Sequence, residues 1–150
     1  MGRDEELFIR IIHEEDLNQV IALDEKVVGR QRREYYEGKF VRALGRVQHI
    51  ATSLVAEQGG RILGFIMGDL FLGEFGIPES TATIDTIGID PEMHRKRIAS
   101  ALMQEYCNNV KAAGVNRVIT RVEWSDWDLQ RFFHSHGFKP SQTISLELNI

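Results

Sequence analysis

The sequence has little cysteine and contains no long apolar run. A single cysteine, Cys107, among 150 residues excludes an internal disulfide and is typical of a reducing compartment. No apolar stretch approaches the roughly 18 residues that a membrane span needs. The first residues, Met1 to Glu6, also lack the apolar core of a signal peptide. We therefore expect a cytoplasmic protein with no membrane partner.

The sequence also lacks an excess of basic residues. Its 18 Lys and Arg stand against 22 Asp and Glu, which gives a formal net charge of −4. Nucleic-acid-binding domains normally carry a basic excess, so we expect no nucleic-acid partner. What remains is an ordinary globular composition, with 43% hydrophobic and 27% charged residues, which predicts one domain over residues 1–150.

Hydrophobic periodicity and turn residues predict an α/β fold with the element order β-α-α-β-β-β-α-β-α-β. Gly59-Gly60 predicts a hairpin between strands 50–57 and 61–72. A strand at 80–90, a helix at about 95–113 and a strand at 116–123 should form a right-handed parallel crossover. We therefore predict a mixed, mostly antiparallel sheet with one parallel pair and helices on both faces. The other predicted elements are strands 8–12 and 143–148 and helices 14–28, 32–44 and 126–135.

The most informative stretch, residues 84–102, predicts a strand that turns at Pro91 into a helix. A helix N-terminus offers unpaired N–H groups and the positive end of the helix dipole, both of which favour phosphate. On the residues alone, a solvated basic surface is an equally good interpretation. Three consecutive cations begin the predicted helix: Arg95, Lys96 and Arg97.

This stretch resembles the acetyl-CoA-binding signature of the GCN5-related N-acetyltransferase (GNAT) superfamily. In that signature a strand leads through Asp-Pro into Gln/Arg-x-x-Gly-x-Gly/Ala and a helix. His94 stands at the Gln/Arg place, Arg97 at the first Gly and Ala99 at the final Gly/Ala. Residues 122–138 are similar to the family's strand–turn–helix that ends in Gly-Phe. The predicted order of elements also matches the family over essentially the whole chain.

The resemblance implies an N-acetyltransferase that moves the acetyl group of acetyl-CoA to a primary amine in a ternary complex, without a metal. The acceptor would be a small molecule, a protein N-terminus or a lysine. Many members form dimers, which makes a homodimer one expectation. The strand backbone would pair with the pantetheine arm, the helix start would hold the pyrophosphate, and the thioester would lie between two splayed strands. The cofactor contacts implied are Ile87, Gly88, Ile89, Arg95, Lys96, Arg97, Ile98, Ala99, Ser100, Asp126 and Phe133.

Two carboxylates are candidates for the base that acetylation of an ammonium group needs. Asp85 lies on the motif strand, where alternation predicts that it shares a face with Ile87. Glu123 lies at the end of the neighbouring predicted strand. A hydrogen-bonded structural role for Asp85 and a solvated strand end for Glu123 are the alternatives.

The acid that would protonate the departing thiolate has to come from a different place than in many members of the family. Phe133 occupies the place where many members of the family carry a Tyr, so His134 and Tyr106 are the candidates that remain. Asp126, at the turn before the last predicted helix, is also a good N-cap.

The acceptor and two rival functions stay open on the sequence. The basic and aromatic stretch 29–39 could hold the carboxylate of an amino-acid-like acceptor, whereas Glu74 and Glu79 could attract a polyamine. One rival is a non-catalytic acyl-CoA-binding or sensor domain of the same fold. The other is an unrelated α/β phosphate-binding module that uses the start of the basic helix.

Overall fold

The computed structural model describes residues 6–45, 52–71, 73–76, 78–93 and 96–150. The predicted element boundaries at Ile50, Leu72 and Arg95 lie outside these residues. The chain falls into two compact units, Met1–Thr120 and Arg121–Ile150.

The first unit is a five-stranded mixed sheet with helices. Its strands are β1 (Phe8–Ile11), β2 (Ser53–Gln58), β3 (Arg61–Phe71), β4 (Thr81–Ile89) and β5 (Val118–Thr120). Its helices are α1 (Leu17–Val28), α2 (Arg33–Leu44) and α3 (Lys96–Ala112). The strand order is β1-β2-β3-β4-β5, and all pairs are antiparallel except the parallel pair β4–β5. The predicted fold class is confirmed.

Glycines end α1 and form the turn between β2 and β3 at the positions that the sequence predicts. Gly29 ends α1 with a φ of 87° and donates its N–H to the carbonyl of Glu25 at 2.8 Å. Only glycine adopts this left-handed conformation at little cost. Gly59 and Gly60, with φ of 57° and 77°, form the predicted hairpin turn between β2 and β3.

Helices cover both faces of the sheet. Tyr36 and Phe40 of α2, together with α1, pack on β2 and β3 and form one buried core. On the other face, Ile98 and Leu102 of α3 lie against Gly64 of β3. Both faces are therefore buried, which explains why the central strands are apolar almost throughout.

An ion pair between Arg10 and the buried Asp16 joins β1 to the segment that leads into α1. The two carboxylate oxygens of Asp16 each accept a hydrogen bond from the Arg10 guanidinium at 2.8 Å, and one also accepts the His13 N–H at 2.7 Å. Burial raises the pKa of Asp16, but these bonds together outweigh it and leave the pKa below its ordinary value. Asp16 is therefore ionised at neutral pH.

Strand β4 carries a β-bulge at Asp85. Met67 of β3 pairs with Thr86 and the next residue, Gly68, pairs with Ile84, so Asp85 has no partner on β3. An extra residue of this kind interrupts the alternation of side chains between the two faces of a sheet.

Gly68 and Tyr106 accompany the bulge. The Tyr106 hydroxyl, on α3, donates a hydrogen bond to the carbonyl of Thr83. A Cβ on Gly68 would collide with that same carbonyl oxygen and with the Tyr106 hydroxyl. Glycine is therefore required at position 68 for the close approach of α3 to the bulged strand.

The second unit contains one helix, α4 (Trp127–Ser135), in the part of the chain that the structure describes. Asp126 caps it, because its carboxylate accepts the Leu129 N–H at 3.1 Å, which confirms the predicted N-cap. The ring of Phe133 is buried and lies 5.3 Å from the ring of Phe132 and 5.0 Å from that of Phe138.

The predicted strand at 143–148 is wrong. The residues alternate as a half-buried strand should, yet they pair with no strand in the described part of the chain. Ile144, Leu146 and Leu148 are 83–85% exposed. Alternation shows which side chains could share a face, but it cannot supply the neighbouring backbone that a strand requires. β5 is likewise shorter than predicted and ends at Thr120 instead of Glu123.

We expect Gly68→Ala to destabilise the protein by at least about 2 kcal/mol, because the new methyl group meets backbone as well as the Tyr106 hydroxyl. Gly38→Ala is the matched control. Gly38 lies inside α2 with open space around its α-carbon, so this change should stabilise by about 0.5–1 kcal/mol. Urea unfolding of both variants checks the pair, and equal effects would contradict the assignment.

Candidate active site

β4 has an open edge beyond the point where β5 ends. The parallel pairing joins Ala82, Thr83 and Ile84 to β5 and stops there, whereas β4 continues to Ile89. From Thr86 onward β4 pairs with β3 on one side, and no strand of the described chain pairs with it on the other. An extended ligand could therefore add to this edge as a further strand does.

Asp85 lies where this open edge begins, and its carboxylate faces α2. One oxygen accepts a hydrogen bond from the Lys39 ammonium at 2.7 Å, and the other accepts from the Thr83 hydroxyl at 3.2 Å. The prediction that Asp85 shares a face with Ile87 is wrong. The bulge places Asp85 and Thr86 together on the α2 face, while the side chain of Ile89, and by alternation that of Ile87, faces α3.

A cleft lies between α2 and the sheet beside Asp85. A second ion pair, between Arg42 of α2 and Asp69 of β3 at 2.7 Å, lies in its wall. The Oγ atom of Ser53 is buried in this region and has no hydrogen-bond partner among the described residues. Two carboxylates and two cations thus line a single cleft at the bulged strand.

A buried polar network fixes α2 against β4 next to the bulge. The Tyr36 hydroxyl donates to the Asp24 carboxylate at 2.7 Å and lies 3.2 Å from the Thr86 hydroxyl. Asp24 also receives two hydrogen bonds from Arg32, at 2.6 and 2.9 Å. Burial raises the pKa of the Tyr36 phenol well above its ordinary value, so it remains a donor.

The first turn of α3 presents a basic side chain to solvent. Arg97 is exposed, Ala99 and Ser100 are half-buried, and Ile98 is buried in the core. Lys96 is the first residue of the helix, and Arg95 lies outside the described residues. Of the cofactor contacts predicted in this turn, Ile98 could therefore contact a ligand only through its backbone, whereas Arg97 could do so through its side chain.

The turn after β4 is built by Asp90, and Gly88 lies just before it inside the strand. The Asp90 carboxylate accepts the Glu92 N–H at 3.0 Å, and the Asp90 carbonyl accepts the Met93 N–H at 2.9 Å. A Cβ on Gly88 would lie 2.7 Å from the ring of Phe65, so a larger residue does not fit without a shift. The two hydrogen bonds to Asp90 form the predicted turn at Pro91.

The remaining predicted site residues belong to the second unit. Glu123 follows β5 rather than ending it, and its side chain is exposed while its carbonyl accepts the Asp126 N–H at 3.0 Å. His134 is exposed in the last turn of α4. The buried ring of Phe133 has no proton to donate.

Two residues of α3 are structural rather than reactive. The Tyr106 hydroxyl is already engaged with the Thr83 carbonyl, and burial raises the pKa of this phenol. Burial also raises the pKa of the half-buried Cys107 thiol, which argues against a nucleophilic thiolate.

Sequence reasoning missed Lys39 as a partner of Asp85. The sequence shows only that the stretch 29–39 is basic and aromatic. The pairing of Lys39 with Asp85 depends on how α2 crosses β4. The spacing of Lys39 and Arg42, three residues apart on one helix face, is the single signal that could have indicated a charged wall.

No group of three or more His, Cys, Asp or Glu side chains able to hold a metal occurs within the described ranges. Within those ranges, no helix is long and apolar enough to cross a bilayer.

Comparison with known proteins identifies the family. The model of the acetyltransferase (GNAT) family matches residues 9–138. The chain belongs to the GNAT family. No curated protein matches it significantly.

Solved structures share the GNAT fold at low sequence identity. A transcriptional regulator from Bacillus halodurans C-125 is 19% identical with a TM-score of 0.79, covering 97% of this chain and 100% of its own. The aminoglycoside N-acetyltransferase AAC(6')-Iy, in complex with CoA, is 14% identical with a TM-score of 0.80 over 99% and 98% of the two chains. The ribosomal-protein-S18-alanine N-acetyltransferase from Escherichia coli is 16% identical with a TM-score of 0.73 over 91% and 80%.

We expect Tyr36→Phe to destabilise this GNAT protein by about 1–2 kcal/mol, because the Thr86 hydroxyl and the buried Asp24 each lose a partner. Tyr35→Phe, at the neighbouring half-exposed ring, should change stability by less than about 0.5 kcal/mol. Chemical denaturation compares the two, and equal losses would argue against the network.

Proposed function

We propose that this protein transfers the acetyl group of acetyl-CoA to a primary amine. The observation that carries the proposal is the bulge at Asp85. It points a carboxylate into a cleft at the place where β4 acquires an open edge. The family match supports acetyl transfer, and the CoA complex of a protein with the same fold supports the co-substrate.

The backbone and charges of the first unit fit acetyl-CoA. The open edge of β4 at Ile87, Gly88 and Ile89 offers hydrogen-bonding groups to an extended amide-bearing arm such as pantetheine. The first N–H groups of an α-helix have no partner within the helix, so the start of α3, beside the exposed Arg97, suits a pyrophosphate. Asp126 and Phe133, implied as further contacts by the family resemblance, remain part of the proposal.

Asp85 is the proposed base. An ammonium group must lose a proton before its nitrogen can attack a carbonyl carbon, and Asp85 already holds an ammonium, that of Lys39, at 2.7 Å. Glu123 is the weaker candidate, because it follows β5 as an exposed residue. An acceptor amine would compete with Lys39 for the same carboxylate.

A dedicated acid is not required for the departing sulfur. Thiols are much stronger acids than alcohols or water, with a pKa of about 8.5 for the cysteine thiol. The CoA thiolate is therefore a good leaving group that takes a proton from solvent near neutral pH. This chemistry is compatible with Phe133 at the place of the family's Tyr and with a Tyr106 hydroxyl already engaged. His134 stays a candidate for assisting that proton transfer.

The first experiment is calorimetric titration with acetyl-CoA. We expect micromolar binding, no comparable binding of ATP, and an affinity lower by roughly 10- to 100-fold in Arg97→Glu, because the new charge repels phosphate. Arg131→Glu, on α4, is the charge-matched control at a 78% exposed side chain. Absence of acetyl-CoA binding would overturn the proposal, and binding without turnover would favour a sensor domain.

A panel of amines then tests the base. Asp85→Asn should lower kcat/KM by about 10²- to 10⁴-fold at pH 7, measured as release of free CoA thiol. The deficit should shrink as the pH rises toward the amine pKa of about 10, because more of the amine is then already neutral. Asp128→Asn, at a 98% exposed carboxylate, is the control. A deficit independent of pH would contradict a base role.

A further inference from the structure

The ammonium of Lys39 lies where the proposed function places an acceptor amine. Its Nζ atom is 2.7 Å from a carboxylate oxygen of Asp85 and 5.6 Å from the centre of the Tyr35 ring. A carboxylate and an aromatic face are the two groups that most commonly recognise an ammonium ion. The Lys39 ammonium thus occupies the position that an acceptor amine would take. The aromatic ring beside it, that of Tyr35, belongs to the same helix.

We propose that Lys39 is itself acetylated, within the same molecule, by the acetyl-CoA bound at this site. The inference rests on the proposed function, because it needs the thioester near Asp85. The Lys39 side chain is 21% exposed and lines the same cleft as Asp85. It is therefore neither sealed in the core nor free in solvent.

The other lysines whose side chains the structure describes are placed differently. Lys26 lies 3.6 Å from Asp90 with a 49% exposed side chain, at the turn beyond the end of β4. Lys111 and Lys139 are exposed on the last turn of α3 and beyond α4. Among these four lysines, only Lys39 is bound to the proposed base.

The reaction balances with acetyl-CoA as the sole co-reactant. The Lys39 ammonium gives one proton to Asp85, and the neutral nitrogen attacks the thioester carbonyl. A new N–C bond forms as the C–S bond breaks, the second nitrogen proton ends on the thiol of CoA, and Asp85 returns its proton to water. The products are N-acetyl-Lys39, CoA and one proton, with no change of oxidation state.

Acetylation would release Asp85 from its ion pair with Lys39. The modified side chain has no charge, so both its ion pair with Asp85 and its attraction to the Tyr35 ring are lost. Asp85 would then be available to the ammonium of an added acceptor. Self-acetylation of Lys39 would therefore prepare the site to bind an acceptor amine.

The test is incubation of the full chain with acetyl-CoA alone, followed by peptide mass spectrometry. We expect Lys39 to be acetylated at least tenfold faster than Lys111 and Lys139, which report uncatalysed acetylation in the same tube. The rate constant should not depend on protein concentration, because the reaction is intramolecular. In Asp85→Asn, Lys39 should be acetylated no faster than Lys111.

The wild-type pattern decides the proposal even if that variant fails to fold. Acetylation of Lys39 no faster than that of Lys111, in a protein that binds acetyl-CoA and acetylates an added amine, would overturn this inference and leave the proposed function intact. A rate constant that rises with protein concentration would overturn the intramolecular route. Failure to bind acetyl-CoA would remove both proposals together.

Discussion

The extra residue that β4 carries at Asp85 is the constraint on which the site depends. Without it, Asp85 and Thr86 would point to opposite faces of the sheet, and only one of them could meet α2. With it, Asp85 meets Lys39 while Thr86 meets Tyr36. The bulge is held from the opposite face by α3. There the fit is so close that position 68 has no room for a side chain.

The two faces of the sheet contribute different things to this arrangement. The α3 face supplies apolar packing together with the hydrogen bond of the Tyr106 hydroxyl. The α2 face supplies charge, in the form of the Lys39–Asp85 and Arg42–Asp69 pairs. The buried Asp24–Arg32 pair stabilises the position of α2, the helix that carries the cations of that charged face. An unpaired buried carboxylate would be costly, so Asp24 and Asp69, which are both buried, depend on their arginine partners.

Much of the fold was predictable from the sequence, because glycines and apolar periodicity are local signals. Gly29 and the Gly59-Gly60 turn ended their elements where predicted, and the parallel crossover follows from a strand–helix–strand order. The bulge was not predictable, because it is a relation between β3 and β4 and leaves no mark in composition. The same holds for Lys39, whose partner lies 46 positions away. The strand predicted at 143–148 failed because a strand also needs a neighbour.

The bulge has a consequence for how this sequence can change in length. Loss of Asp85 itself would restore a regular ladder with β3 and leave Ile84 and Thr86 with the partners and faces that they have now. Loss of Ile87 would also remove the bulge, but it would turn Thr86 toward the apolar layer beneath α3. The pairing of β3 with β4 therefore does not need Asp85, whereas the site does. The residue that the sheet can lose most easily is the one that carries the carboxylate of the site.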